Sequence, residues 1–228
     1  MDPQQRLLLE HSQRLFHSHL FSIYTGISLG ISSYPEASLD ARAYACAYSA
    51  SGQHISVASG RIAYLFDMQG PAVSVDTACS SALVAMYLAR REILGCRNTF
   101  DAVHDMICGG VHIISPRSSY LCYLAGMLSA EGRCKVLDMH ADGYVRGECC
   151  ELQILSRCKS HTQRCVLMAC NVSQDGRTSS LTAPNGIAQV ILISTTAHAA
   201  TVKVDRIGAI QLHGTGTILG DPIEVSST

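Results

Sequence analysis

Residues 73–86, VSVDTACSSALVAM, pass from an alternating apolar run through a patch of small residues into the apolar spacing of a helix. The alternation predicts a strand over AVSVD, 72–76, and SSALVAMYLARREIL, 80–94, predicts a helix that ends before Gly95. Cys79 sits at the junction between them. At the first turn of a helix, unpaired backbone N–H groups and the positive end of the dipole favour a thiolate over a thiol. Ala78, Ser80 and Ser81 leave room for a carbonyl to approach, so the junction has the logic of a nucleophile elbow without its Gly-x-Ser-x-Gly form. The same local pattern describes a small buried core cysteine, and both readings stand at this level.

The strand and helix grammar continues outward from this point. Residues 2–17, with Leu7, Leu8, Leu15 and Phe16 among polar neighbours and Pro3 near the first turn, predict an amphipathic helix. Residues 22–56 read as loops and short elements, and 57–71 as a short helix ended by Gly70-Pro71. Strands are expected over 105–114, 149–155, 165–172 and 206–212, and a helix over 184–200. Near-continuous apolar strands between helices imply an α/β fold around a buried mixed or parallel sheet. With no linker or repeat, 1–228 is expected to be one domain or one piece of one.

Composition narrows the function classes. A 228-residue chain with 47% hydrophobic residues is long enough to fold around its own core. Its 17 Lys and Arg against 18 Asp and Glu leave a formal charge of -1, which argues against nucleic acid or an anionic membrane as partner. The start MDPQQRLLLEHSQRLF has no apolar core of a signal peptide, and no run is long enough to span a membrane. The expected location is cytoplasmic, with a plastid or other organelle left open. The 11 cysteines follow no regular spacing and include no Cys-x-x-Cys pair, so they read as reduced thiols with no metal site.

Five blocks, the Cys79 stretch among them, sharpen the reading of that residue. GPAVSVDTACSSALVA (70–85), GMLSAEGRCKVLD (126–138), ADGYVRGE (141–148), QDGRTSSLTAPNG (174–186) and HGTGTILGDPIEV (213–225) occur in this order. Together with MDPQQRLLLE at the amino end and ASGRIAY at 58–64, they resemble the β-ketoacyl synthase domain of polyketide synthases and related fatty-acid synthases. The resemblance runs over nearly the whole chain and implies a thiolase-like αβαβα layered fold, incomplete here, that is dimeric in the family.

What the resemblance implies falls on named residues. Cys79 matches the acyl-accepting cysteine, whose backbone N–H forms half of an oxyanion hole. His213 matches the first active-site histidine, which drives decarboxylation of a malonyl-type extender. Thr215 and Thr217 match threonines that bind the phosphopantetheine arm. Asp221 and Glu224, in GDPIE, are expected to give structural support, Glu224 together with a lysine further along the family's chain. Asp142, Arg146 and Glu148 are expected to form a structural or gating ion-pair network. No cofactor binds directly: the substrates are acyl and malonyl thioesters on the 4'-phosphopantetheine of an acyl carrier protein, which is the implied partner.

The chain also departs from the family's pattern. ECCE at 148–151 puts Cys149 and Glu151 where glycines are usual, and QLH at 211–213 puts Leu212 where alanine is usual. The stretch 91–105 is longer than the pattern and 157–170 shorter. The family's second histidine, its lysine and its Gly-Phe-Gly loop have no counterpart here, so condensation by this chain alone is not expected. A rival reading is therefore a truncated, non-catalytic binding or dimerisation protein. A Cys–His hydrolase is a third, suggested by the spacing of about 134 residues from Cys79 to His213, but the Cys-Gly-Ser-Cys-Trp signature is absent.

Overall fold

The computed structural model describes residues 1–33, 46–95, 103–157 and 165–228. The chain divides into two compact units, one of Met1–Ser118 with Gly147–Arg164, the other of Ser119–Arg146 with Cys165–Thr228.

The first unit is built on a four-stranded sheet. Its helices α1 (Pro3–Ser18), α2 (Ser49–Gln53), α3 (Ser56–Leu65) and α4 (Ser81–Gly95) accompany strands β1 (Gly26–Ile31), β2 (Ala72–Val75), β3 (Asp105–His112) and β4 (Cys149–Ser156). The strand order is β2-β1-β3-β4, with β1 parallel to both neighbours and β4 antiparallel to β3. The expected mixed sheet is therefore present, and the helix before β2 and the strands after it fall close to their predicted places.

Strand alternation sorts the sheet's side chains onto two faces. On one face Ile27, Leu29, Ile31, Ile107 and Val111 meet Leu8 of α1 and Ala58 and Ile62 of α3. On the other face Met106 and Cys108 meet Ala89 and Ile93 of α4, with Met86 packed against them. Each fully buried Leu, Ile or Met side chain contributes about 1.5–3 kcal/mol, so these layers account for the unit's cohesion. Helix α1 starts where the sequence predicts it: Asp2 accepts a 2.7 Å hydrogen bond from the Gln4 N–H, and Pro3 follows in the first turn.

Strand β1 is one of the short elements expected within 22–56, but no period in the sequence marked it as a strand. Its sequence, GISLGI, is short of β-branched residues, yet all six positions are buried. The reason lies in α4. A Cβ on Gly30 would stand 2.5 Å from the backbone of Ser81 and Ala82, and one on Gly110 would stand 2.8 Å from the Ala82 Cβ. Gly30 and Gly110 are paired neighbours in β1 and β3. Only a side-chain-free patch lets the start of α4 settle onto the sheet, and that need erases the usual strand signal.

The second unit contains α6 (Gly186–Ala199), α7 (Gly220–Ser227) and the end of α5 (Pro116–Leu124). Asn185 caps α6 by accepting from the Ala188 N–H at 3.2 Å. The strands expected over 165–172 and 206–212 are absent: both segments are largely irregular and lack ladder partners. A run of apolar residues suits a buried strand, but a strand exists only where a neighbour completes its hydrogen bonds. Residues 34–45 and parts of the two length changes, 96–102 and 158–164, lie outside the described residues. No helix among the described residues is long and apolar enough to cross a membrane.

Candidate active site

The elbow around Cys79 forms because β2 ends on residues that bond back onto their own backbone. After Val75 the chain makes a short 3-10 turn, Ala78–Ser80, and runs straight into α4. Asp76 Oδ1 accepts from the Ala78 N–H at 3.0 Å, an Asx-type turn. Ser81 Oγ accepts from the Thr77 N–H at 2.8 Å and donates to the Ala78 carbonyl at 2.6 Å. Ser80 Oγ donates to the Thr77 carbonyl at 2.9 Å.

Both amide faces of Ala78 are thus held, and its φ is +54°, in the left-handed region that alanine rarely enters. Strain of this kind persists only where the surroundings impose it, and it collects at functional turns. Cys79, the next residue, is exposed. The buried-core reading of Cys79 is therefore wrong: the turn directs the sulfur outward while Ser81, 6% exposed, anchors the helix start below it.

Other thiols sit in different surroundings. Cys108 is fully buried in β3. Burial, reinforced by the neighbouring Cys149 thiol and by Glu10, pushes the Cys150 thiol up to about 11, so it stays protonated at neutral pH. Cys46 is exposed, and the Ser49 hydroxyl at 3.6 Å, with the Tyr48 amide, holds its thiol below the usual range. Cys149 and Glu151 occupy exposed positions on β4, where side chains replace the expected glycines without burial.

In the second unit, His213, Thr215, Thr217, Asp221 and Glu224 come together around the turn 213–217. Glu224 Oε1 accepts from the His213 N–H at 2.5 Å, and its Oε2 accepts from the Gly214 N–H at 2.9 Å. Among the described residues, Glu224 therefore binds the histidine's own backbone. Asp221, 4% exposed, accepts from the N–H groups of Gly216 at 3.1 Å, Thr217 at 3.4 Å and Leu137 at 2.9 Å. The Thr215 and Thr217 hydroxyls lie 3.3 Å apart, and Thr217 Oγ1 also accepts from the Gly220 N–H at 3.2 Å.

A second loop backs this turn. The Gly143 N–H donates to the Gly216 carbonyl at 3.0 Å, and a Cβ on Gly216 would come within 2.8 Å of the Lys135 backbone nitrogen. Lys135, its side chain 8% exposed, bridges Asp142 at 3.0 Å and Glu131 at 3.1 Å. The Lys135 ammonium holds the Asp142 carboxyl below its ordinary range, while Asp142 and then Glu131 hold Lys135 above its own. Asp142 thus pairs with Lys135, a residue outside the expected network, while Arg146 donates to Ser119 at 3.1 Å and Glu148 accepts from the Ile114 N–H at 2.8 Å. An open cavity of about 540 Å³ lies beside the turn, lined by Leu137, Met139, Thr217, Ile218, Pro222 and Val225 among others.

Sequence reasoning missed Asp76 and Lys135, and took Ser81 only as a small residue beside Cys79. The signal for Asp76 was its place two residues before Ala78, the spacing of an Asx turn. No local pattern marks Lys135, whose carboxylate partners are four residues before it and seven after.

Comparison with known proteins places both halves of this geometry. The sequence model described as Beta-ketoacyl synthase, N-terminal domain, matches residues 1–161, and that described as Beta-ketoacyl synthase, C-terminal domain, matches residues 164–228. One phenolphthiocerol/phthiocerol polyketide synthase polypeptide of Mycobacterium tuberculosis is 40% identical over 241 residues, covering 100% of this chain and 13% of that protein. Another polypeptide of the same synthase is 39% identical, covering 98% of this chain and 15% of its own length. Among solved structures, the ketosynthase from module 6 of the Bacillus subtilis bacillaene synthase superposes with a TM-score of 0.81 at 31% identity, over 100% of this chain and 40% of that one. The Streptomyces albus oxazolomycin ketosynthase domain gives 0.78 at 28% identity, over 99% and 40%. The fold is thus the thiolase-like one of the ketosynthases. Ser119–Arg146, within the N-terminal match, groups in space with Cys165–Thr228 from the C-terminal match. With its elbow in the first match and its histidine turn in the second, the chain belongs to the β-ketoacyl synthase family.

Proposed function

We propose that the chain is part of the condensing centre of a β-ketoacyl synthase in polyketide biosynthesis, and that Cys79 is its acyl-accepting nucleophile. The exposed sulfur at the apex of a strained strand-to-helix turn carries this reading. A thiolate suits the task because it attacks a thioester readily and later departs as a good leaving group.

In the first half-reaction the Cys79 sulfur adds to the thioester carbonyl of an acyl chain on an acyl carrier protein. The thiol of the phosphopantetheine arm leaves, and acyl-Cys79 remains. A malonyl-type thioester then loses carbon dioxide. The electron pair of the broken carbon–carbon bond forms an enolate, which attacks acyl-Cys79 and expels the cysteine thiolate.

His213 is assigned to this second step: a neutral imidazole donates a hydrogen bond to the enolate oxygen without adding charge. The Cys79 N–H is assigned to the oxyanion of acyl transfer, where one lost donor typically costs about 10² to 10³ in rate. The Thr215 and Thr217 hydroxyls are assigned to the phosphopantetheine arm, with Asp221 and Glu224 holding the backbone that presents them. The two compact units are taken as parts of one synthase domain that works as a homodimer.

The test is acylation of the chain by an acyl N-acetylcysteamine thioester, mapped by peptide mass spectrometry. The acyl mass is expected on the Cys79 peptide and is lost in Cys79→Ala. Even acylation of Cys79, Cys46, Cys134 and Cys165 would remove the nucleophile assignment.

A further inference from the structure

The amino-terminal helix reaches the elbow through a line of hydrogen bonds. Gln4 of α1, 1% exposed, donates from Nε2 to the Ser32 carbonyl at 2.9 Å. Ser32 follows the last residue of β1, and its hydroxyl donates to Asp76 Oδ1 at 2.9 Å. That same oxygen accepts the Ala78 N–H at 3.0 Å. One carboxylate oxygen therefore joins the end of β1 to the strained residue that precedes Cys79.

Two demands meet at this oxygen. The left-handed turn at Ala78 needs an outside acceptor for its N–H, because neither the strand nor the helix supplies one there. An acceptor on a freely rotating side chain would hold the turn weakly, and the Ser32 hydroxyl limits that rotation. Gln4 in turn holds the Ser32 backbone, its own side chain buried and the bond partly shielded from water.

We propose that Asp76 is a positioning residue for Cys79: tethered by Ser32 and braced by Gln4, it keeps Ala78 in the turn that presents the sulfur. This rests on the reading of Cys79 as the nucleophile, and it assigns the buried Gln4 amide of the MDPQQR segment a part in setting that nucleophile. Geometry and charge make opposite demands here. A nearby carboxylate disfavours a thiolate, so Asp76 earns its place only through the bond that it accepts.

That opposition gives the experiment. The full chain is treated with iodoacetamide across a pH series, and the rate at each cysteine is read by peptide mass spectrometry. Asp76→Ala should slow Cys79 alkylation about fivefold, the factor that loss of one ordinary hydrogen bond represents. Asp76→Asn keeps an acceptor oxygen and should restore the rate to within about twofold. Ser32→Ala should act in the same direction as Asp76→Ala, with a loss of about threefold.

Cys108, buried in β3, reports folding in the same samples: it stays unlabelled while the sheet is intact. An unchanged or faster Cys79 in Asp76→Ala, with Cys108 protected, would overturn the proposal, since an electrostatic role alone predicts acceleration in both Asp76 variants. If Asp76→Ala exposes Cys108, Ser32→Ala decides, and an unchanged Cys79 rate there also overturns it. Failure of the underlying nucleophile assignment looks different: the unsubstituted chain would then label Cys79 no faster than exposed Cys165.

Discussion

The elbow at Cys79 and the turn at His213 are both short backbone segments held away from regular structure, but they are held by different means. The elbow rests on packing: α4 starts directly on the glycine patch of β1 and β3, and side chains next to the turn complete its hydrogen bonds. The 213–217 turn rests on carboxylates, with Asp221 and Glu224 together accepting from five backbone N–H groups. One is a consequence of how a sheet and a helix fit together. The other is wired by two carboxylates of α7, and its precision depends on charge.

That contrast predicts different points of failure. The largest effect is expected at Gly30. Val in its place would drive a side chain into the backbone of Ser81 and Ala82, and overpacking of this kind costs about 2–3 kcal/mol. Urea unfolding of Gly30→Val should show that loss, together with labelling of Cys108. A variant as stable as the parent would mean that packing does not hold the elbow.

Asp221→Ala should come next and stay local. The N–H groups of Leu137, Gly216 and Thr217 would lose a buried charged acceptor, a hydrogen bond of a kind that contributes about 1.5–3 kcal/mol. Hydrogen exchange at these three amides should quicken by about tenfold or more while the amides of β1 and β3 keep their protection. Equal loss in both units would erase the distinction between them.

The order of these effects follows what the sequence made visible. Strand β2, helix α4 and the cysteine between them were legible because alternation, small residues and helix periodicity are local signals. Strand β1 was not, since GISLGI gives up its side chains to α4 and looks like a loop for that reason. Segments 165–172 and 206–212 erred the other way: their apolar content is real, but pairing is a property of a neighbour. In the turn, Glu224 was legible as support for the site through family resemblance, whereas its partners, the amides of His213 and Gly214, were not, because backbone donors leave no mark in a sequence.

The smallest expected effect separates the two regions by pH. Asp142, held below its ordinary 3.8 by Lys135, contributes stability that is complete above that value and is lost as pH falls through its folded midpoint. Lys135, held above its ordinary 10.5 by Asp142 and Glu131, contributes stability that is complete below that value and is lost as pH rises through its own midpoint. The bridge behind Gly143 is therefore whole between these values. Carbon-13 titration should place the Asp142 carboxyl midpoint below 3.8 and the Lys135 midpoint above 10.5; an Asp142 midpoint at or above 3.8 would remove the bridge from the account.

Ala78 bears on how a covalent inhibitor would meet this protein. Glycine would take a φ of +54° with less strain, but it would also admit many other angles. The methyl group narrows that choice at a cost of about 1–2 kcal/mol, so the backbone that carries Cys79 is narrowed before a ligand arrives and the sulfur keeps only its own side-chain rotation. An electrophile aimed at Cys79 therefore gains little from adaptation of that backbone. Its selectivity over Cys46 or Cys165 has to come from the shape it presents to a turn that is already formed.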